Sequence, residues 1–334
     1  MASIFKTFLN NDIAKSRTLL HEAIPLTDTI ISGTYADENI KNYAHGMFQS
    51  VYDYPYLSSS ANHIFDITCG YASSSAWQNA SNTQNSKKMN VYNQMAQVLV
   101  GYDHTGSIRE FDEDGNFIAG GTKLKEIMCL NFSRLLCKDE IKKGSFSMTV
   151  HTAGAYGSPV TELTLTDSGS TTSYLTNSPA GEYGILYDDS GSKYGLVYYQ
   201  AYTAVLSASV FTGTSFGTGS EGIETVFTET AISGCANDLR HRIKNISFNN
   251  TTELNSRIYF CRADHNSFNY SSSPTFLSGS QLVVKNFAQD DSVAYITSVG
   301  LYSASNELLA LAKLSEPLKK QFGQELTIRC RIDF

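Results

Sequence analysis

Charged residues are scarce in this sequence, and basic residues do not predominate. Asp, Glu, Lys and Arg account for 17% of the 334 residues, whereas soluble domains usually contain about 25%. The formal net charge is −7, and proteins that coat nucleic acid are normally basic. The composition therefore argues against nucleic acid as a direct partner.

Long apolar segments are also missing from the sequence. No run reaches the roughly 18 apolar residues that a membrane-spanning helix needs, so we expect no membrane partner. The opening segment, MASIFKTFLNNDIAKSR, has neither a long apolar core nor a small-residue cleavage site. A secretory signal is therefore not expected, and the product should remain in the cytoplasm where it is made.

Motifs for catalysis and metal binding are missing as well. The 6 cysteines are scattered and form no CxxC pair, so we expect buried, reduced thiols rather than a zinc site. The sequence contains no GxSxG, P-loop or HExxH motif, and no GxGxxG after a strand. These absences predict that the chain is not an enzyme and carries no cofactor.

What the sequence does contain points to an α+β fold that is mainly β. We predict an α/β N-terminal domain over residues 1–150 that begins with an arm. Within it, residues 12–23 predict a short helix, and apolar residues between 40 and 51 recur at helical spacing. Residues 88–103 predict another helix, and residues 63–72 predict a strand.

The chain beyond residue 150 has the composition of strands and turns. Residues 151–238 predict a β-rich middle domain, and residues 239–334 predict about six strands, which suggests a C-terminal antiparallel β-sandwich. The last strand, ELTIRCRIDF, alternates apolar and polar residues, so one face should be buried. The predicted architecture is a helical N-terminal part, a β-rich middle and a C-terminal sandwich.

Three segments are candidates for contacts with other proteins. The arm carries apolar side chains that would dock on another subunit, namely Ile4, Phe5, Phe8 and Leu9. The only tryptophan, Trp77, lies in a polar loop, where an exposed tryptophan would mark a partner site. For both the arm and Trp77, the alternative is that the side chains pack on their own domain instead of on a partner. Lys319 and Lys320 are further candidates, although paired surface charges are usually just solvated.

Residues 111–121, FDEDGNFIAGG, allow two interpretations. Asp112, Asp114 and Asn116 occupy the first, third and fifth positions of a calcium loop. The glycine falls at the fourth position instead of the sixth, and Lys123 replaces the glutamate expected at the end of the loop. Asp-Gly between apolar runs also predicts a hairpin turn. We favour the turn and keep calcium as the weaker alternative.

Four segments toward the two ends of the chain share packing and turn residues rather than catalytic ones. They are VAYITSVGLYSASNELLALAKLSEPLKK (293–320), FNYSSSPTF (268–276), ENIKNYAHGMFQSVYDYPYLSSSANHIFD (38–66) and LNFSRLLCKDEIKKGSF (130–146). These segments resemble virion structural proteins of tailed, T4-like bacteriophages of marine and cyanobacterial hosts. The resemblance implies a tail component of the baseplate or neck, assembled in the cytoplasm of a bacterial host. It does not extend over residues 150–235.

The sequence therefore predicts a structural assembly protein of a virion, which binds copies of itself and other virion proteins. One alternative is a receptor- or glycan-binding tail protein, or a capsid-surface protein. A glycan-cleaving version would need two carboxylates facing across a cleft, and the acids clustered near tyrosines are Glu182, Asp188 and Asp189. A cellular β-protein that shares only the hairpin is the third alternative.

Overall fold

The chain forms two compact units in a computed structural model that describes residues 5–27, 37–117, 121–271, 277–279, 281–282, 289 and 291–334. Unit 1 combines Met1–Leu19 with Glu253–Phe334, and unit 2 consists of Leu20–Thr252. Ile4, a residue of the predicted arm, lies outside the described residues.

Strands predominate over helices in the described residues. The strands are β1 (Ile13–Thr27), β2 (Ile40–Asn42), β3 (Gln49–Tyr52), β4 (His63–Tyr71), β5 (Phe111–Asp112), β6 (Lys123–Leu124), β7 (Glu126–Phe132), β8 (Glu140–Ile141), β9 (Ser147–Ala155), β10 (Ser158–Thr166), β11 (Leu175–Ser178), β12 (Gly181–Tyr187), β13 (Lys193–Tyr198), β14 (Thr203–Ser207), β15 (Ile243–Ala263), β16 (Leu277–Ser278), β17 (Gln281–Leu282), β18 (Val293–Tyr302), β19 (Leu308–Gln321) and β20 (Leu326–Asp333). The α-helices are α1 (Asn85–Leu99), α2 (Arg134–Cys137), α3 (Ser170–Ser173), α4 (Ile223–Glu229) and α5 (Ile232–Arg242).

Unit 2 is built on one large antiparallel sheet. Its strands follow the order β15, β9, β10, β12, β13, β14, β7, β4, β3 and β2. Cys129 of β7 lies inside this sheet, where it pairs with Val205 of β14 on one side and with Thr68 of β4 on the other. β15 is divided between the two units, because its residues up to Thr252 belong to unit 2 and those from Glu253 belong to unit 1.

The apolar run of β7 explains why this sheet is covered on both faces. Met128 and Leu130 belong to one hydrophobic cluster, whereas Ile127 and Cys129 belong to a second one, because successive side chains of a strand point to opposite faces. The first cluster includes residues of α4 and α5, and the second includes residues of α1. A continuous apolar strand is typical of a sheet buried on both sides.

A buried lysine joins α1 to the C-terminal end of α4. Lys88 is fully buried, and its ammonium donates to the backbone oxygens of Phe227 at 2.6 Å and Thr230 at 2.7 Å. Carbonyl oxygens at the end of a helix lack intrahelical donors, and a cation is favoured there by the helix dipole. Lys88 thus satisfies backbone groups that would otherwise be buried without partners.

Unit 1 consists of separate ladders that bury little apolar surface. β20 pairs with β15, β18 pairs with β19, and β16 pairs with β17. Among the described residues of this unit, the buried apolar side chains are Ala263, Ala294 and Leu301. Neither of the two hydrophobic clusters found in the described residues includes a member of unit 1.

The predicted fold class is wrong in two respects. The N-terminal part is not helical, since residues 12–23 lie almost entirely in β1, residues 40–51 form β2, a turn and β3, and the first α-helix begins at Asn85. In that turn Gly46 has a φ of 63°, and its amide donates to the carbonyl oxygen of Tyr43 at 2.9 Å. The C-terminal region is not a sandwich, because its described strands form ladders without two apolar faces packed on each other.

Several predictions of single elements are confirmed. The helix predicted over 88–103 corresponds to α1, the strand over 63–72 to β4, and the terminal strand to β20. The segment 293–320 forms the hairpin of β18 and β19. The predicted N-terminal and middle domains both contribute strands to the sheet of unit 2, which continues across residue 150.

Candidate interface on unit 1

Unit 1 exposes large apolar side chains along much of its described length. These are Phe5, Leu9, Ile13, Leu19, Leu254, Phe268, Tyr270, Tyr295, Tyr302, Leu308, Leu309, Leu311, Leu318, Phe322 and Phe334. Single exposed apolar residues are normal on a protein surface, whereas contiguous ones mark interaction sites. The arrangement of these residues therefore decides whether unit 1 carries an interface.

Five of the exposed side chains lie together at the turn end of the β18–β19 hairpin. We name them the tip patch: Phe5, Tyr302, Leu308, Leu309 and Leu311. Tyr302 pairs with Leu308, and Gly300 pairs with Leu311, so these positions share one face of the hairpin. The ring of Phe5 meets that of Tyr302 edge-on, with centroids 5.0 Å apart. The exposed fractions run from 46% for Phe5 to 68% for Leu309.

Gly300 allows the tip patch to close over the hairpin backbone. A β-carbon at Gly300 would lie 2.9 Å from Cε2 of Tyr302 and 3.4 Å from Cδ1 of Leu308. The aromatic ring and the leucine therefore occupy the space that a side chain at Gly300 would need. Leu309 lies in a register shift of the hairpin, where β19 carries one extra residue.

The segment before β1 is held within unit 1 by ion pairs. Asp12 is buried, and Nε and Nη2 of Arg262 lie 2.7 Å and 2.8 Å from its two carboxylate oxygens. The hydrogen bond from Arg262 holds the pKa of Asp12 below its ordinary value. Lys6 forms a further ion pair with Asp264. These contacts fix the direction in which the predicted arm runs.

The predicted arm residues differ in their surroundings. Phe8 is half-buried, and its ring centroid lies 5.4 Å from that of Tyr259. Phe5 touches Tyr302 but stays exposed, and Leu9 is exposed as well. The arm thus packs partly on its own unit and still presents apolar surface to solvent.

The two lysines after the hairpin also differ in their surroundings. Lys319 is exposed. Lys320 is fully buried, and its ammonium donates to the side-chain oxygen of Asn269 at 2.5 Å and to the backbone oxygen of Gln321 at 3.2 Å. Because a buried charge without such partners is strongly unfavourable, Lys320 has a structural role inside unit 1. Of the pair, Lys319 is the one that a partner can reach.

Trp77 lies in unit 2 against the first hydrophobic cluster. Its ring meets that of Phe227 edge-on, with centroids 5.5 Å apart, and the side chain is half-buried. Trp77 therefore reports on the packing of unit 2. Its role as a partner contact stays a prediction.

Asp112, Asp114 and Asn116 form a network of turn contacts. Asp112 is fully buried and makes an ion pair with Lys123. The amide of Asp114 donates to Oδ1 of Asp112 at 3.3 Å, and Nδ2 of Asn116 donates to Oδ2 of Asp114 at 2.6 Å. The Lys123 ammonium thus neutralises the carboxylate at the first calcium position. In the part of the chain that the structure describes, no group of three or more His, Cys, Asp or Glu residues is placed to hold a metal ion.

Two of the three acids clustered near tyrosines are engaged by local contacts. Glu182 of β12 pairs with Lys143. Asp188 follows β12 and accepts a hydrogen bond from the amide of Ser192 at 2.7 Å, and the neighbouring Asp189 is exposed. The hydroxyl of Ser190 also donates to the carboxylate of Asp188, so Asp188 stabilises its own turn.

A polar cleft of about 310 Å³ lies in unit 2. It is lined by Asp37, Ile40, Asn42, Gln49, Ser233, Gly234 and Asn237. Among the described residues of this lining, Asp37 is the one carboxylate, and it pairs with Arg240. The side-chain oxygen of Gln49 is buried and accepts no hydrogen bond from the described residues. Glycoside cleavage uses two carboxylates, and the described lining residues supply one of them.

Sequence reasoning missed the leucines of the tip patch. Leu308, Leu309 and Leu311 stand within NELLALAK, where apolar residues occupy both faces of the strand instead of alternating. An apolar run in a hairpin that is bounded by Asn306 and Lys313 indicates burial on two sides. The described residues of unit 1 leave the leucines exposed. The apolar run was therefore the sequence pattern from which a contact with another molecule could have been predicted.

Comparisons of the chain with protein-family models, with curated proteins and with solved structures give no match. Among the helices of the described residues, none has the length and apolar character needed to cross a membrane. The candidate function therefore rests on the sequence resemblance and on the surface of unit 1.

Proposed function

We propose that this chain is a structural assembly component of a tailed-bacteriophage virion, associated with the tail at the baseplate or neck. It acts through contacts with copies of itself and with other virion proteins, and it is assembled in the cytoplasm of a bacterial host. The observation that carries this proposal is the surface of unit 1, which exposes many large apolar side chains and buries few.

The stability of unit 1 favours association over a monomeric state. A two-stranded hairpin alone is only marginally stable in water, and β18 and β19 form such a pair. Burying a large apolar side chain contributes about 1.5–3 kcal/mol, and most of those in the hairpin are exposed. Contacts that cover them would stabilise the hairpin and the assembly together.

The resemblance of four sequence segments directs the proposal to phage particles. The hairpin segment 293–320 lies in unit 1, and the segments 38–66 and 130–146 lie in unit 2. The hairpin segment of the resemblance thus belongs to the unit that exposes most of its large apolar side chains. The engagement of buried ionic groups by backbone atoms, as at Lys88, suits a scaffold role.

Mass spectrometry of gradient-purified particles of the encoding phage tests this proposal. We expect peptides from both units at a stoichiometry comparable to that of other tail proteins, and antibody-gold labelling at the tail. Labelling on the head would move the protein to the capsid surface. Abundant chain in the lysate that is absent from purified particles would contradict the proposal.

Receptor or glycan binding is a second candidate function, which the polar cleft of unit 2 favours. Gln49 and Asn42 line the cleft, and their amide side chains are the type of group that hydrogen-bonds a hydroxyl-rich ligand. A glycan array probed with the labelled protein tests it. Binding that Gln49→Ala abolishes would support this function, and an array without signal would count against it.

A further inference from the structure

The size of the tip patch matches one side of a single protein interface. A fully exposed large apolar residue offers roughly 180 Å², so five residues that are about half exposed offer roughly 450 Å². A standard interface buries about 800 Å² per partner, of which about 57% is apolar, again roughly 450 Å². The exposed apolar area of the tip patch therefore equals the apolar area that each partner buries in a standard interface, so a second tip patch could cover it.

Two exposed charges of opposite sign lie at the ends of the leucine segment, one in the turn before β19 and one on β19 itself. Glu307 directly precedes Leu308, and Lys313 follows Leu311 on the same face, where it pairs with Ser298. Neither charge takes part in an ion pair with another described residue. The order along the chain from Glu307 to Lys313 is thus negative, apolar, positive.

This order is self-complementary under a two-fold rotation. Two copies of the segment that pack antiparallel bring the negative end of each one to the positive end of the other, with the leucines between them. An interface of this type is isologous, because the same residues meet from both sides. A different partner protein would not require the charges to be arranged in this way.

We infer that the tip patch binds the tip patch of a second copy of this chain across a two-fold axis, with Glu307 of each copy beside Lys313 of the other. This inference rests on the proposed function, since it names the partner for the contact surface of unit 1. Phe5 belongs to the interface through its contact with Tyr302, so the predicted arm takes part in it.

Light scattering coupled to size exclusion tests the apolar part of the interface. We expect the 334-residue chain to have a mass of twice 36.7 kDa, or an even multiple of it. Leu308→Asp/Leu311→Asp should halve that mass, because burying two carboxylates in the interface is strongly unfavourable. Leu135→Asp is the matched control, since Leu135 is a 77% exposed leucine of unit 2; its mass should equal that of the wild type.

The emission spectrum of Trp77 provides the folding control, because this single tryptophan packs in unit 2. It should be the same in the wild type and in the double variant. A monomeric wild type, or a double variant that keeps the wild-type mass, would overturn the inference.

Charge reversal tests the two-fold geometry without placing charges in the patch. Glu307→Lys and Lys313→Glu should each weaken dimerisation about tenfold, because each change converts two attractive contacts per dimer into repulsive ones. The double variant Glu307→Lys/Lys313→Glu should restore wild-type affinity. Additive weakening in the double variant would contradict the proposed pairing.

The two-fold contact and the virion role can be refuted independently of each other. A chain that is found in particles but is monomeric in solution overturns the two-fold contact and leaves the virion role standing. A dimer with the expected response to charge reversal supports the contact even where the chain is missing from particles.

Discussion

The carboxyl group of Asp238 links the stability of unit 2 to pH. Asp238 lies on α5, is 3% exposed, and accepts one long hydrogen bond of 3.4 Å from the hydroxyl of Thr218. Burial, with a smaller contribution from the carboxylate of Glu221, raises its pKa to about 7, although the hydrogen bond from Thr218 and the guanidinium of Arg242 both act to lower it. We predict that Asp238→Asn stabilises the protein at neutral and higher pH.

The size of the effect follows from the difference in proton binding. Between about pH 4 and pH 7 the folded state keeps a proton on Asp238 that the unfolded state releases. Stability therefore falls as pH rises through this window and is constant above it. Asparagine does not titrate, so the stability of the variant relative to the wild type should grow by about 2–3 kcal/mol from about pH 5 to about pH 8.

Urea unfolding followed by Trp77 emission measures this difference, since Trp77 and Asp238 lie in the same unit. Asp189→Asn is the matched control, because Asp189 is exposed on unit 2; its difference from the wild type should stay flat over the same range. A difference for Asp238→Asn that does not depend on pH, or that shrinks as pH rises, would refute the reasoning.

Three further predictions concern other buried groups. Lys88→Met should lower the free energy of unfolding by roughly 2–4 kcal/mol, because two buried carbonyls lose their donor, whereas Lys87→Met on the exposed side of α1 should change it little. Millimolar calcium should leave the thermal midpoint unchanged, because Lys123 already neutralises Asp112. Iodoacetamide should alkylate Cys261 slowly at about pH 8, because burial raises its pKa to about 12.

Each of these has a clear contradicting result. Denaturant curves that show equal losses for the two lysine variants would remove the assigned role of the buried ammonium. A rise in midpoint with calcium that a chelator reverses would restore the calcium interpretation. Peptide mapping that finds Cys261 alkylated as fast in the native protein as in urea would exclude a protected thiol.

Local sequence patterns correctly predicted the elements whose conformation is determined by residues close in sequence. The helical spacing of Tyr92, Ala96 and Leu99 places them on one side of α1, where they are buried. The spacing between 40 and 51 failed because the chain reverses at Gly46, where a positive φ allows a tight turn. A pattern of apolar residues does not distinguish a helix from two paired strands when such a turn lies inside it.

Long-range contacts account for the helix that was wrongly predicted over residues 12–23. In unit 2, the amide of Glu22 donates a hydrogen bond to the side-chain oxygen of Asn250 at 3.1 Å, and Nδ1 of His21 lies 3.3 Å from the Asn250 carbonyl oxygen. These partners are more than 200 positions away in the chain. Tertiary pairing overrides weak helical propensity in such a segment.

The candidate interface was visible from the sequence only in part. The alternation of apolar and polar residues in ELTIRCRIDF and the apolar run in NELLALAK indicate which side chains are expected to be buried. They do not indicate which residues cover them. Phe5 was predicted from its position in the arm, whereas its partner Tyr302 required the hairpin register. A contact between two copies of one chain adds no second pattern to the sequence, because the same residues form both sides of it.

Hydrogen–deuterium exchange tests most directly whether unit 1 gains its stability by association. The amides of β18 and β19 should be protected in the wild-type oligomer and exchange rapidly in dissociated Leu308→Asp/Leu311→Asp, while β7 and β14 of unit 2 stay protected in both. Equal protection of β18 and β19 in the dissociated and associated proteins would contradict the account, because the hairpin would then be stable without a partner.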